Sequence, residues 1–185
     1  MTRFSLAAAA LAIGFGVPAA ADEISDTLQS ALDAYEEGDT AYALEELDYA
    51  RQLLLALKTD ALAGFLPDAP EGWSREINTE MNAGLAMMGG GTGAEATYAG
   101  AGTRLTITIM ADNPMVGAMS GMIANAAMYG ARVERVGREK FMIKDGEVTG
   151  LVANRFLIKA SGGDAEEMLA LVGEIDFRGL RSFGQ

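Results

Sequence analysis

The sequence predicts an α+β protein: an N-terminal antiparallel helical hairpin followed by an antiparallel β-sheet packed with one or two helices. Three observations carry this expectation. Residues 23–64 are rich in Ala, Leu and Glu and contain no proline. The stretch Leu66-Pro67-Asp68-Ala69-Pro70-Glu71-Gly72 then imposes an extended, non-helical entry. Beyond it, short β-rich runs recur between turn residues.

Residues 1–21 read as an export signal. Arg3 supplies a short positive start, Leu6–Val17 an apolar run, and Ala19-Ala20-Ala21 a small-residue cleavage site before Asp22. The apolar run is short for roughly 30 Å of hydrocarbon. No cysteine is present to carry a lipid anchor. The expectation is a bacterial periplasmic protein, not integral to the membrane after cleavage.

Residues 22–64 form the expected hairpin. Ser25 or Asp26 caps the first helix, and Gly38-Asp39 interrupts the pattern. Leu28, Leu32 and Tyr35 recur at i, i+4 and i+7. After the break, Ala43, Leu44, Leu47, Ala50, Leu54 and Leu57 continue an apolar stripe to Lys58. Such stripes pair two helices, with alanines at the crossing. Residues 65–72 read as a linker.

Residues 73–180 read as the α+β sandwich. Trp73 is its expected core anchor. Ser74–Glu80 forms a first strand, and Met81–Gly93 has no clear period. Ala94–Ala99 and Thr103–Met110 make a hairpin around Gly100-Ala101-Gly102, with Leu105, Ile107 and Ile109 on one face. Asp112-Asn113-Pro114 opens a helix over Met115–Tyr129, buried against the sheet with Met115, Met119, Met122 and Ala126 as its stripe. Arg132–Val136, Lys140–Lys144, Glu147–Val152 and Arg155–Ala160 are further strands, and Asp145-Gly146 suits a type I′ turn. Asp164 caps a helix over Ala165–Val172. Ile175-Asp176-Phe177 pairs briefly, and residues 181–185 fray as a flexible tail.

Charge is segregated along the chain. Residues 22–71 hold 13 acids and two bases, so they carry nearly all of the net charge of −12. Histidine and cysteine are both absent. That excludes thiolate nucleophiles, Ser–His–Asp triads, His/Cys zinc sites and imidazole pH switching. The acidic balance argues against nucleic acid, whose phosphates it would repel. Gly89-Gly90-Gly91-Thr92-Gly93 fits neither a dinucleotide fingerprint nor a P-loop, and reads as backbone needing positive φ. No paired carboxylates, nucleophile elbow or Ser-x-x-Lys pair emerges, so a non-enzyme is expected, with no cofactor and no metal.

Two resemblances add to this reading. The run Ala31-x-x-x-Tyr35-x-x-Gly38-Asp39 followed by Ala43-Leu44-x-x-Leu47-x-x-Ala50 resembles a single tetratricopeptide-type hairpin. Residues 66–180 resemble the PsbP and DcrB group of exported α/β proteins. Leu66-Pro67, Pro70-Glu71-Gly72-Trp73, Val152-Ala153-Asn154-Arg155-Phe156-Leu157-Ile158, and Leu171-Val172 through Phe177 carry that likeness. It implies a meandering antiparallel sheet, a final helix and a non-catalytic envelope or assembly role. No catalytic residue set transfers.

The functional expectation is an exported interaction or assembly factor. Its acidic hairpin face, Asp33, Glu36, Glu37, Glu45, Glu46 and Asp48, would engage a basic protein partner. A homo-oligomer is left open. The alternative is a carrier holding a small apolar ligand near Trp73, Met115, Met119 and Met122. A third reading, Cu(I) handling by those thioethers, is chemically sensible, but the same spacing serves packing. Arg132, Arg135, Arg138, Lys140 and Lys144 form the one basic segment, interleaved with Glu134 and Glu139.

Overall fold

A computed structural model describes residues 19–78, 81–87 and 90–184. Most of the expected export signal, residues 1–18, lies outside the described residues. Ala19, Ala20 and Ala21 begin the first helix. The chain divides into two compact units at Leu54/Leu55, inside the second helix.

The first unit is the helical hairpin. Helix α1 spans Ala19–Glu37 and α2 spans Thr40–Ala63. The break falls where the sequence places it. Gly38 takes φ +86°, its N–H donates to Tyr35 O, and Asp39 N–H donates to Ala34 O. Asp39 Oδ1 then accepts from Tyr42 N–H at 3.1 Å, starting α2. The buried side chains are mostly small: Ile24, Thr27, Ala31 and Ala34 on α1, Ala43 and Ala50 on α2. Small residues let helices approach closely.

The second unit is built on a seven-stranded antiparallel sheet in the order β1-β2-β3-β7-β6-β5-β4. The strands are β1 Ser74–Asn78, β2 Thr92–Gly100, β3 Thr103–Ala111, β4 Arg132–Val136, β5 Glu139–Lys144, β6 Glu147–Val152 and β7 Phe156–Ser161. Two meanders, β1 to β3 and β4 to β7, are joined by pairing of β3 with β7. Tight turns set the β2–β3 and β5–β6 registers. Asp145 and Gly146 have φ +50° and +77°, and Ala101 and Gly102 have +50° and +81°.

Period-two alternation gives the sheet two unlike faces. One carries Ala96, Tyr98, Ile107, Ile109, Phe141 and Ile158, fully buried beneath the end of α2 and two further helices, α5 Ala165–Gly173 and α6 Phe177–Ser182. The other carries a smaller cluster, in which Met110 and Leu157 meet Leu85 of α3 (Met81–Met87) and Val116 of α4 (Pro114–Ala124). Asp164 caps α5 as expected, accepting from Glu167 N–H at 2.9 Å.

Several expectations need correction. The long Met115–Tyr129 helix stops at Ala124, and a 3-10 turn follows over Ala126–Tyr129. Val116 is the buried residue of α4, while Met115 is exposed. The helix therefore lies on the sheet by one valine and the flank of Met119, not by a methionine stripe. Residues 81–87, without a clear period in sequence, form α3.

Leu66 and Pro67 of the expected linker are buried: Leu66 joins the principal core, and Pro67 O accepts from Tyr98 Oη at 2.7 Å and Arg75 Nη1 at 2.8 Å. Ile175-Asp176-Phe177 makes no strand. Asp176 Oδ1 accepts from the N–H groups of Arg178 and Gly179 and so starts α6. In the expected tail, Phe183 packs edge-on against Phe65 at 5.6 Å and against Phe156 at 6.1 Å. Gly90 and Gly91 do take positive φ, and a Cβ on Gly91 would lie 2.9 Å from Ala111 O.

One buried hydroxyl, Thr92 Oγ1, has no hydrogen-bond partner among the described residues. An unpaired buried hydroxyl costs about 1–3 kcal/mol. Thr92→Val, which keeps the shape and removes the polar atom, is expected to raise stability by about 1 kcal/mol in chemical denaturation.

Candidate functional site

The bulky members of the hairpin's apolar stripes do not face inward. Alanines occupy the buried positions, so the bulky residues one helical step away are left outside. Leu28, Leu32 and Tyr35 of α1 and Leu44 and Leu47 of α2 are all exposed, Leu44 to 65% and Tyr35 to 67%. Together with Ala31, Thr40 and Ala43 they line one groove of about 410 Å³. Scattered exposed leucines are ordinary, whereas a contiguous set sharing a concave surface is a candidate interaction site.

The predicted carboxylates surround this groove unevenly. None of them lines the groove; Glu36 follows Leu32 by four residues and Asp48 follows Leu44 by four, but so does Arg51 follow Leu47, so all three stand one helical turn from a groove residue. Asp33 and Glu37 line a second, shallow depression with Asp26, Asp39 and Tyr42. Asp33 accepts from Gln29 Nε2 at 2.7 Å. Glu45 is exposed on α2 and Glu46 is half-buried. The six acids are therefore not one patch. The hairpin is nonetheless strongly negative, with ten acids against Arg51 alone over residues 22–54. Glu23 Oε1 also accepts from Tyr49 Oη at 2.7 Å, and that bond raises the Tyr49 pKa.

The apolar-ligand candidates are separated. Trp73 is half-buried and packs on the principal core. Met119 packs on the smaller cluster across the sheet, Met122 is half-buried, and Met115 is exposed. No cavity common to Trp73 and these methionines follows from that arrangement. Among the described residues, no group of three or more His, Cys, Asp or Glu side chains is placed to hold a metal. No helix among them is long and apolar enough to cross a membrane.

The strongest charge cluster was not legible in sequence. Asp112, in the left-handed region at φ +56°, accepts from Arg155 Nε at 2.6 Å, Arg155 Nη2 at 3.0 Å and Lys58 Nζ at 2.9 Å. Arg155 also donates to Phe183 O and lies 4.9 Å from the Phe156 ring centre. The guanidinium, then the ammonium, hold the Asp112 carboxyl down to about 2 against a desolvation that raises it.

The cluster ties β3, β7, α2 and the C-terminal segment together, which is a structural task. Because the folded pKa is depressed from 3.8, its stabilisation is present above that pH and lost as pH falls through about 2. With the side chain 37% exposed, screening reduces the contribution to about 1 kcal/mol. Asp112→Asn, which tolerates the backbone, is expected to flatten the acid limb of a stability profile between pH 4 and 2.

No family model matches the chain, and no curated protein or solved structure does either. The hairpin and sheet resemblances therefore rest on their residues alone.

Proposed function

We propose that the protein is an exported, non-enzymatic interaction or assembly factor whose hairpin docks an amphipathic helix with basic flanks. The observation that carries the reading is the outward-facing set Leu28, Leu32, Tyr35, Leu44 and Leu47. Helix-in-groove recognition uses this arrangement: apolar anchors of the guest at i, i+3/i+4 and i+7 enter the groove. The groove's α1 wall, Leu28 to Tyr35, spans about 10 Å at 1.5 Å per residue, roughly two turns of a guest helix.

The net negative charge of the hairpin, with Glu36 and Asp48 each one turn from a groove leucine, then selects a guest whose polar edges carry Lys or Arg. Such complementarity governs association rate and specificity more than affinity, and salt weakens it. A second copy of this hairpin would bring two strongly negative surfaces together, so a partner of opposite charge is favoured over self-association.

A photoreactive residue in place of Leu44 tests the reading in the intact chain. The expected crosslinks map to a Lys/Arg-flanked amphipathic helix of another protein and fade at high salt. Crosslinks to a second copy of this chain, or none above a probe at exposed Tyr129, would refute it.

A further inference from the structure

We infer that a cavity between the Trp73 turn and α5 binds a small organic cation with an apolar body, of the alkylammonium type. The site is built from the chain upward. Pro70-Glu71-Gly72-Trp73 closes a turn in which Trp73 N–H donates to Pro70 O at 2.9 Å and Gly72 takes φ +78°. This is the type II pattern, which needs glycine at that position. The turn lays the indole directly over Gly100 of β2, where any Cβ would run into the ring. Trp73 is thereby fixed as one wall of a cavity of about 620 Å³, within the range of small-molecule sites.

The remaining lining decides the ligand. Pro70, Leu105 and Leu171 supply apolar surface beside the indole, while Glu167 and Glu174 stand on the α5 side. No base lines the cavity. Asp68, also at its edge, is paired with Arg75 at 3.2 Å, whereas Glu167 and Glu174 have no ion pair among the described residues. Glu167, Ala170, Leu171 and Glu174 recur at i, i+3, i+4 and i+7, so the cavity lies along one side of α5 from its first turn to its C-cap. Two carboxylates and an indole both favour positive charge, and a cation over an indole gains about 0.5–2 kcal/mol. An anion of the same size would be repelled by the same groups. A neutral molecule would gain only the apolar part.

Trp73 is the only tryptophan, so its emission reports on this site alone. The full chain is titrated with hexyltrimethylammonium, 1-hexanol and hexanoate while fluorescence is followed. A saturable change is expected with the cation, at about tenfold lower concentration than with hexanol, as about 1.4 kcal/mol of charge recognition implies. Hexanoate should give none. Glu167→Gln/Glu174→Gln should melt as the parent does and weaken the cation about tenfold. No saturable response to the cation, equal potency of cation and hexanol, or an undiminished response in the double variant would each overturn the proposal.

Discussion

Gly150→Ala is expected to destabilise the sheet unit by about 3 kcal/mol, near the upper end for overpacking a core, and to lower its melting temperature by about 10 °C. Gly150 of β6 pairs directly with Phe141 of β5, and the Phe141 ring lies across the glycine. A Cβ there would overlap Cδ1 and Cε1 of the ring. Phe141 is fully buried and also meets Phe177 at a centroid distance of 6.0 Å, so it has nowhere to swing. Strand glycines commonly mark such close approaches. Trimming the obstacle tests the cause. In Gly150→Ala/Phe141→Leu the loss should be clearly smaller than the sum of the single losses, because the two positions share one space. Additive losses in denaturant titration would show that the ring is not the reason.

Leu32→Asp/Leu44→Asp is expected to weaken partner docking by about 30-fold or more while leaving the fold intact. Both residues are about half exposed or more, and surface substitutions away from caps and cores usually change stability by within about 0.5 kcal/mol. Central apolar anchors of an interface, by contrast, are each worth about 2 kcal/mol or more, which is roughly 30-fold in affinity. Ala50→Leu should behave oppositely. Ala50 is 1% exposed, so added bulk is expected to cost about 1–3 kcal/mol. Circular dichroism melts and binding isotherms on the same samples separate the two effects.

Much of the architecture was legible in the residues. Gly38-Asp39 announced the helix break, Asp145-Gly146 the type I′ turn, and Leu105/Ile107/Ile109 the core face of β3, since each depends on local backbone chemistry or strict alternation. What stayed hidden depends on partners distant in sequence. Asp176 looked strand-compatible until its carboxylate met the N–H groups of α6. The packing of α4 through Val116 rather than Met115 and Met122 follows from where α3 and Leu157 lie, which no helical period reveals.

The site was half legible. The acids and the Leu/Tyr stripe were both visible, but a stripe of period 3.6 looks the same whether it faces a neighbouring helix or solvent. The alanines at 31, 34, 43 and 50 were the available signal, because a crossing filled by alanines leaves leucines at its margin. The Trp73 cavity needed the register that places Gly100 under the indole.

The docking claim is tested most directly by calorimetric titration of the full chain with two synthetic amphipathic helices sharing one leucine face, one flanked by lysines and the other by glutamates. The lysine-flanked peptide should bind, more tightly at about 50 mM than at about 500 mM salt as screening grows, and Leu32→Asp/Leu44→Asp should abolish the heat. No binding of the lysine peptide, or equal binding of both peptides, would contradict the assignment of the groove to a basic amphipathic guest.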